Sequence, residues 1–452
     1  MSQFELGIVG DYFVPVTECS TAGAVAASDR LGLTRNTFMG VSGGKIVTIE
    51  PFTEVLRSRC QKFIDASRSK VVLPGLVNTH THLAMSLFRG LHDDLPFSEW
   101  LFQNILPLES RVVDEAFVRL GTRLSLYECV RFGTTTVNDM YFYADAAAEE
   151  VSRAGLRGLI SQVVLSAQSP ECRVLGSDKK RLLERLVDRW KGSETVRVGV
   201  APHAPYTCSD ETLSWVAAEA KRLQLSVHTH LSETQFEVDQ SIKQHGLTPV
   251  QRFQRLGIFD SPVIAAHSIY LTDADIRIMV ASGASVSHCP DSNLKLSSGV
   301  APVAQYLASR LRVGLGTDGA ASNNSLNLFG AMNLGVKLQK WVGGSNTAMV
   351  ASQVLRMATI DGARALGWDS KTGSLEVGKN ADFIVVDLDY PHLQPVNDVI
   401  SHLVYSTTGL EVETTVCGGV VLMRDGEFCG SGLSGEDFEN VRDQVASLAG
   451  GF

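Results

Sequence analysis

The sequence predicts an α/β protein, a (β/α)8 TIM-type barrel with a small β-sandwich domain built from both chain ends. Three observations support this fold class. The chain has 452 residues, enough for a large barrel with an appended domain. Its middle alternates short β-branched runs with amphipathic helical patterns, as parallel βαβ units do. Its two ends carry strand patterns joined by glycine-rich turns.

The sequence of the N-terminal end predicts one half of the β-sandwich. Residues 1–70 contain "FELGIVGDYFVPV" and "NTFMGVSGGKIVTIEP", two runs rich in β-branched and aromatic residues, the second interrupted by glycines. We therefore assign residues 1–70 to the N-terminal part of the sandwich.

Eight strand patterns follow, and we assign residues 71–372 to the barrel. Helical patterns such as "DEAFVRLGTRLSLYECVRF" and "DETLSWVAAEAKRLQL" separate most of them. Short apolar strands that alternate with helices are what a barrel requires. The strand patterns are "VVLPGLVNTHTH", "GTTTVNDMYF", "LRGLISQVVL", "VRVGVAPHAPY", "LSVHTHLSE", "PVIAAHSIYL", "ASVSHCP" and "RVGLGTDGAAS".

The C-terminal end predicts the other half of the sandwich. Strand patterns occur in "ADFIVVDLD", "HLVYSTTG" and "TTVCGGVVLMRDGEFC", so residues 373–452 are assigned to this half and a tail. Because chain termini often lie close together, we expect the two halves to join.

Charge and composition limit the function classes. The chain has 40 Lys and Arg against 49 Asp and Glu, a net charge of −9, and no dense basic run. Nucleic acid and membrane partners are therefore not expected, and a small-molecule substrate is. There is no secretory signal pattern, no long apolar run, and no CxxC pair among the eight cysteines, which include Cys19. We predict a cytoplasmic protein with free thiols.

Histidines mark the barrel strand ends. "PGLVNTHTHLAM" places His80 and His82 two residues apart, so both side chains point to one face of a strand. Such a pair is also an ordinary polar strand end. However, six of the eleven histidines stand at or just beyond five strand ends: His80, His82, His203, His230, His267 and His288.

An acidic residue completes this pattern. Asp318 follows the eighth strand in "GLGTDGAAS", and the C-terminal ends of parallel barrel strands converge. Three histidines and a carboxylate suit zinc or ferrous iron with an open position for water. No lysine ends the fourth strand, which favours one metal over two. His228 is expected to lie on the opposite face of its strand.

Longer segments carry a family resemblance. "PGLVNTHTHLAMSLFRGLHDDLPFSEWLFQNILPLE", "HTHLSET", "AAHSIYLTD", "SHCPDSNLKLSSGVAPV" and "GLGTDGAASNNSLNLF" closely resemble the amidohydrolase superfamily, and within it the 5-methylthioadenosine/S-adenosylhomocysteine deaminases. The resemblance implies one divalent metal, zinc or iron, bound by His80, His82, His230 and Asp318. It also implies a homo-oligomer, either a dimer or a tetramer.

The same resemblance implies the remaining roles. Glu233 would carry a proton to the substrate, His267 would hydrogen-bond the attacking water, and Asp318 would pass the water proton to the departing ammonia. Glu109 would accept from the ribose hydroxyls, and His203 would contact the nucleoside. The implied reaction is metal-dependent hydrolytic deamination of an adenosine derivative (5-methylthioadenosine, S-adenosylhomocysteine, 5′-deoxyadenosine or adenosine) to the inosine product and ammonia.

Two questions stay open from the sequence. Some family members carry an arginine at the end of the third strand that could pair with the S-adenosylhomocysteine carboxylate, whereas this chain has Gln162, with Arg173 and Arg181 in the following loop. The substrate class is the second question. The alternatives are an amidohydrolase acting on another aminated or halogenated heterocycle, such as a triazine, another purine or a pterin, and a non-catalytic barrel.

Overall fold

The computed structural model describes residues 3–17, 31–176 and 178–448 and confirms the predicted fold class. Eight parallel strands pair in chain order. The first and last of these strands also meet: the backbone N–H of Asp318, which follows the last strand, donates to the carbonyl oxygen of His80 in the first strand over 3.0 Å. The barrel strands are β5 (Leu76–Thr81), β6 (Thr134–Tyr141), β7 (Arg157–Val164), β8 (Val196–Pro202), β9 (Ser226–Leu231), β10 (Val263–His267), β11 (Ser285–His288) and β12 (Arg312–Leu315), after the four strands of the N-terminal end.

A second sheet joins the two ends of the chain, as expected. Its strands run in the order β17-β16-β15-β14-β13-β4-β1-β2-β3, and only β1 and β4 pair in parallel. It has an apolar core of its own, which includes Ile8, Met39 and Phe383. Its strands are β1 (Phe4–Phe13), β2 (Thr34–Ser42), β3 (Lys45–Pro51), β4 (Cys60–Pro74), β13 (Phe383–Asp387), β14 (Val412–Cys417), β15 (Val420–Arg424), β16 (Glu427–Gly430) and β17 (Leu433–Ser434).

Helices fill most of the connections between barrel strands. The α-helices of the described residues, including those before the first and after the last barrel strand, are α1 (Glu54–Arg57), α2 (Phe97–Glu99), α3 (Leu106–Val112), α4 (Glu115–Arg131), α5 (Ala144–Arg153), α6 (Pro170–Leu175), α7 (Lys179–Trp190), α8 (Asp210–Leu223), α9 (Gln235–His245), α10 (Pro249–Arg255), α11 (Asp273–Ser282), α12 (Pro290–Lys295), α13 (Val303–Ala308), α14 (Leu328–Val342), α15 (Ala351–Met357), α16 (Ile360–Ala365), α17 (Val399–Tyr405) and α18 (Gly435–Leu448). A π-helix (Trp100–Ile105) joins α2 to α3, and short 3-10 helices cover Leu83–Phe88, Ile258–Asp260 and Pro391–Leu393.

One predicted strand is wrong. "HLVYSTTG" was expected to be a strand, but its first half lies in α17. The Asp398 side chain accepts from the backbone N–H of Ser401 over 2.9 Å, which caps the helix at its N-terminus. β-Branched and aromatic residues fit a strand or a buried helix equally well over such a short run.

Other features agree with the sequence or lie outside the description. The cysteines among the described residues are free thiols, and Cys19 lies outside these residues. In the described ranges no helix combines the length and the hydrophobicity that crossing a bilayer would take. The domain boundaries at 70/71 and 372/373 stay a prediction.

Candidate active site

Three imidazoles and one carboxylate meet at the C-terminal end of the barrel. His80 lies in β5 and His82 directly after it, while His230 lies in β9 and Asp318 follows β12. One ligand atom from each residue lies within 4.8 Å of the others, and His82 Nε2 and His230 Nε2 are 3.2 Å apart. The chain therefore has a His/Asp metal site at the position predicted from the strand ends. We call these four residues the metal cluster.

The donor atoms of this cluster fit a cation. His80 Nε2 is buried and has no hydrogen-bond partner among the described residues, although it lies 3.2 Å from Asp318 Oδ1. A buried nitrogen without a partner is costly unless something binds it. A divalent ion held by these imidazoles and the carboxylate would satisfy this atom.

The Nδ1 atoms of the cluster histidines, which point away from the cluster, already have hydrogen-bond partners. His82 Nδ1 lies 2.7 Å from the carbonyl oxygen of Met140, and His230 Nδ1 lies 2.7 Å from that of His203. Because a carbonyl oxygen can only accept, each Nδ1 donates, and each Nε2 keeps its lone pair for a metal.

The Nδ1 atom of the third cluster histidine, His80, contacts His228. This contact corrects the expectation for His228. Side chains two residues apart share one face of a strand, so His228 lies inside the barrel with His230 and not on the opposite face. Its Nε2 is 2.8 Å from His80 Nδ1, while its own Nδ1 has no partner among the described residues. Burial holds the pKa of His228 well below its ordinary value. A neutral His228 accepts from His80 Nδ1 when His80 keeps the lone pair of its Nε2 for a metal, because the single proton of a neutral His80 ring is then on Nδ1.

Ser292 and Asn293, which were not predicted from the sequence, hold side chains at the site by hydrogen bonds. Ser292 Oγ donates to Asp318 Oδ2 over 2.6 Å, and His267 Nδ1 lies 2.8 Å from the amide oxygen of Asn293. With Nδ1 donating, His267 directs Nε2 towards the site, 4.0 Å from Glu233 Oε2 and 3.9 Å from Asp318 Oδ2. Their position directly after β11, in "CPDSNL", is the signal that could have identified them.

Glu233 is a buried carboxyl group in the loop after β9. Ser298 Oγ donates to its Oε1 over 3.2 Å, and burial raises its pKa above the ordinary value. Glu237 was also not predicted, yet its carboxylate accepts from the backbone N–H groups of Ser232 and Glu233 over 2.8 and 2.9 Å. The segment "TQFE" is a helix-start pattern that could have drawn attention to it.

Above the metal cluster lies a pocket of about 700 Å³, part of it open to solvent, which we call the substrate pocket. Its lining is mostly apolar with a few polar groups, as small-molecule sites usually are. Glu109, on α3, faces it and accepts from the Tyr141 hydroxyl over 2.7 Å, and burial raises the pKa of Glu109 to about 7. The residues of the apolar wall include Met85, Phe97, Trp100, Leu101, Ile105 and Phe142.

Of the remaining predicted residues, some line the substrate pocket and others lie outside it. His203 lines the substrate pocket and also holds His230 through its carbonyl oxygen. His288 is buried at the end of β11, outside the metal cluster, and burial lowers its pKa to about 3. Gln162 donates to Glu171 Oε2 over 3.0 Å instead of facing the pocket, and Arg173 Nη2 donates to Ser110 Oγ over 2.6 Å.

Comparisons with known proteins agree with this architecture. Residues 71–422 match the amidohydrolase family. A 5-methylthioadenosine/S-adenosylhomocysteine deaminase of Caldanaerobacter subterraneus subsp. tengcongensis is 42% identical over 404 residues, 89% of this chain and 91% of the relative. A 5′-deoxyadenosine deaminase of Methanothermobacter thermautotrophicus is 43% identical over 360 residues, 79% and 83% of the two chains. The crystal structure of an adenosine deaminase from Xanthomonas campestris with bound zinc has a TM-score of 0.89 and 35% identity, covering 98% of this chain and 99% of that one.

Proposed function

The chain belongs to the amidohydrolase family, and on that premise we propose that it is an aminohydrolase converting an adenosine derivative to the inosine derivative and ammonia. The observation that carries this proposal is the metal cluster on the floor of the substrate pocket, with Glu233 and His267 beside it. The relatives described above are named for deaminating adenosine derivatives, and they cover most of this chain.

The reaction forms a bond from a water oxygen to C6 of the adenine ring and breaks the bond from C6 to the amino nitrogen. His80, His82, His230 and Asp318 would hold a divalent metal, which would supply Lewis-acid activation and bring the pKa of water down towards about 7. His267 accepts a hydrogen bond through Nε2 and orients the attacking water. Asp318 takes the water proton and passes it to the departing ammonia.

Glu233 is the second proton carrier in this proposal. Addition at C6 places negative charge on N1 of the ring, which receives a proton from Glu233; the ionised Glu233 regains a proton from the added hydroxyl group as the C6 carbonyl forms. The raised pKa of Glu233 keeps a proton available on its carboxyl group closer to neutral pH. Ser298 and Glu237 fix its side chain and its backbone.

The pocket walls carry the groups proposed to hold the nucleoside. Glu109 accepts from the two vicinal ribose hydroxyls, with Tyr141 holding one of its oxygens. His203 contacts the nucleoside from the end of β8. Met85, Trp100 and Leu101 provide apolar surface for the rest of the substrate.

The charge of the pocket favours a 5′ group without a carboxylate. None of the described residues that line the substrate pocket is an arginine or a lysine. Gln162 is engaged with Glu171, and Arg173 with Ser110. We therefore propose 5-methylthioadenosine, 5′-deoxyadenosine or adenosine as better substrates than S-adenosylhomocysteine, because a buried carboxylate needs a cationic partner.

The metal and the assembly complete the proposal. We propose zinc, because three imidazoles and a carboxylate with an open position are typical of catalytic zinc, and ferrous iron is the alternative. We also propose a cytoplasmic homo-oligomer, either a dimer or a tetramer. Metal analysis of the purified protein tests the metal, and light scattering tests the oligomeric state.

An ultraviolet assay of the zinc-loaded protein tests the reaction. The substrates are 5-methylthioadenosine, S-adenosylhomocysteine, 5′-deoxyadenosine and adenosine, with free adenine and a triazine as controls. We expect the adenine absorbance to change to that of hypoxanthine for the nucleosides, with S-adenosylhomocysteine the slowest. Unchanged absorbance for every nucleoside, together with turnover of adenine or the triazine, would assign the enzyme to another heterocycle.

A further inference from the structure

The connection from Phe97 to Glu109 supplies a large apolar part of the wall of the substrate pocket, and we call it the wall segment. In the described ranges, residues 94–108 form hydrogen bonds only among themselves and within α3, and they form no ion pair. Polar contacts with the rest of the chain occur at its last residue, where Glu109 accepts from Tyr141, and just before its beginning, at Asp93. The contacts of Asp93 are therefore the polar contacts nearest to the beginning of the wall segment.

Asp93 is bound by Lys295, the last residue of α12. Lys295 Nζ donates to Asp93 Oδ1 over 2.6 Å and to the side-chain oxygen of Asn324. It also donates to the carbonyl oxygen of Ala321 over 3.1 Å, while the Asn324 amide nitrogen donates to Asp93 Oδ2 over 2.9 Å. An ammonium group has three N–H donors, so all the donors of Lys295 and both oxygens of Asp93 are engaged. We call Asp93, Lys295 and Asn324 the anchor.

The anchor holds both charge and backbone strain. Burial raises the pKa of Asp93, but hydrogen bonds from Lys295 and Asn324 hold that pKa below its ordinary value. Asp94 and Asn324 have φ angles of 63° and 69°, in the left-handed region that a residue with a side chain adopts only at a cost. Contacts between a cation and a carboxylate offset this cost, so removal of one partner should release the backbone beside Asp93.

The anchor lies next to residues that hold the reacting groups. Lys295 follows Asn293, which binds His267, by two residues. Asn324 follows Ser322, which lines the substrate pocket, by two residues. The anchor therefore joins the beginning of the wall segment to the segments after β11 and β12, which hold the reacting groups.

We propose that Lys295 is a positioning residue for the deamination: by holding Asp93 against the segment after β12, it fixes the distance between the wall segment and the metal cluster. This inference rests on the proposed deaminase function. Glu109 of the wall segment is proposed to bind the ribose, and the reaction takes place at the cluster, so the spacing between them must fit one nucleoside. Lys295 does not line the substrate pocket and acts through Asp93.

The test measures kcat and KM for 5-methylthioadenosine, zinc content and melting temperature, using the zinc-loaded full chain. The variants are Lys295→Met, which keeps the length of the side chain without its charge, Asp93→Asn, and the double variant. Lys70→Met is the matched control, because Lys70 Nζ forms an ion pair with Glu413 Oε2 over 2.7 Å in the second sheet and does not line the pocket. The Lys70 and Lys295 side chains are 23% and 24% exposed.

Lys295→Met should raise KM about tenfold, because Asp93 loses its cationic partner and the wall segment loses its position. The value of kcat should stay within about threefold and zinc content should not change, since Ser292 and Asn293 still hold the reacting groups. Asp93→Asn should also raise KM, and the double variant should match the more affected single variant within about twofold, because both changes break one contact. Lys70→Met should lower the melting temperature as much as Lys295→Met does and leave KM unchanged.

Other outcomes separate this inference from the proposed function. A KM within about twofold of the unaltered value in both Lys295→Met and Asp93→Asn overturns the positioning role and leaves the deaminase intact. A KM change that multiplies in the double variant, or that Lys70→Met shares, also overturns it, because the effect then does not pass through the contact between Lys295 and Asp93. Loss of zinc from Lys295→Met overturns it by assigning Lys295 to support of the metal cluster.

A second variant keeps the test decisive if Lys295→Met does not fold. Asp93→Asn then decides alone, and an unchanged KM in this variant overturns the positioning role. No turnover of any nucleoside by the unaltered protein overturns the deaminase proposal and this inference together.

Discussion

The metal cluster and the substrate pocket above it are built from different parts of the chain. The cluster lies at the ends of β5 and β9 and in the segment after β12. Each of its imidazoles makes a hydrogen bond through Nδ1, the ring nitrogen that faces away from the cluster. A large apolar part of the pocket wall comes from Phe97 to Glu109, a connection made of α2, a π-helix and α3. The metal cluster is fixed by the barrel, whereas this part of the wall is supplied by one long connection outside the sheet.

This difference teaches which half sets the chemistry and which sets the substrate. Barrel strands cannot shift without breaking the sheet, so the cluster can hold donor atoms in a fixed arrangement. A connection outside the sheet can change its sequence without disturbing the barrel. Variants of the cluster should therefore abolish binding of the metal or turnover, whereas variants of the pocket should change KM for particular nucleosides.

The largest effect is expected for His230→Ala. The variant removes one of three imidazoles from the metal cluster, so we expect both zinc and turnover to be lost. Zinc content after gel filtration and kcat for 5-methylthioadenosine measure this. His92→Ala, which changes an exposed histidine outside the cluster, should keep both. A His230→Ala protein with full zinc would contradict its place among the ligands.

Glu233→Gln should separate turnover from metal binding. Loss of a general acid-base group costs about 10²-fold to 10⁴-fold in rate, and we expect kcat to fall by that factor with zinc content unchanged. Glu211→Gln, on the exposed surface of α8, is the control and should leave kcat unchanged. Normal turnover in Glu233→Gln would remove this residue from proton transfer.

His228 tests the comparison between the cluster and the pocket more finely, because it contacts the cluster residue His80 but is not one of the four cluster residues. His228→Leu removes the acceptor behind His80 Nδ1, and loss of such a contact typically weakens metal binding about tenfold to hundredfold. His228→Gln keeps an acceptor and should retain most of the affinity. Competition with a chelator measures zinc affinity in both variants.

The control for His228 is another buried polar side chain. Ser161 lies in β7, and its Oγ has no partner among the described residues, so Ser161→Ala should leave zinc affinity unchanged. If His228→Leu binds zinc as tightly as the unaltered protein, the His228 contact does not tune the metal site. A loss that His228→Gln shares fully would indicate damage to packing.

The location of the cluster was predictable from the sequence because strand periodicity and the barrel's strand ends bring its residues together. His80 and His82 alternate along one strand, and the other ligands stand at strand ends that a parallel barrel brings together. The same rule applies to His228, two residues before His230, and its expected opposite orientation was an error in applying the rule. Local pattern and barrel topology therefore locate this half of the site, while the choice of His230 among the other strand-end histidines came from the family resemblance.

The pocket half was less predictable, because tertiary contacts decide it. The π-helix at Trp100–Ile105 has no simple periodicity in the sequence. The hydrogen bond from Tyr141 to Glu109 joins β6 to α3, and the contacts of Glu237 and Asn293 depend on how two loops fold back. The α17 helix shows the same limit, since "HLVYSTTG" alone does not distinguish a strand from a short buried helix.

The smallest effect is expected at the pocket, from Glu109→Gln. Replacing an ionised acceptor by a neutral amide weakens the hydrogen bonds to the ribose hydroxyls, so we expect KM for 5-methylthioadenosine to rise about tenfold with little change in kcat. The same substrate without its 2′ and 3′ hydroxyls is the control, and the variant should not change its kcat/KM. Equal losses on both compounds would show that Glu109 shapes the pocket and does not recognise the hydroxyls.

The pH dependence provides a second readout of the same residue. Burial raises the pKa of Glu109 to about 7, so the carboxyl group is protonated below that pH and ionised above it. The ionised form is the stronger acceptor, and KM for the nucleoside should therefore fall as the pH rises through about 7. Glu109→Gln has no ionisable group at this position and should lose that step, while the pH dependence of kcat, which depends on the metal cluster and Glu233, should stay. A step in KM that persists in the variant would assign the titration to another residue and would weaken the separation between the two halves of the site.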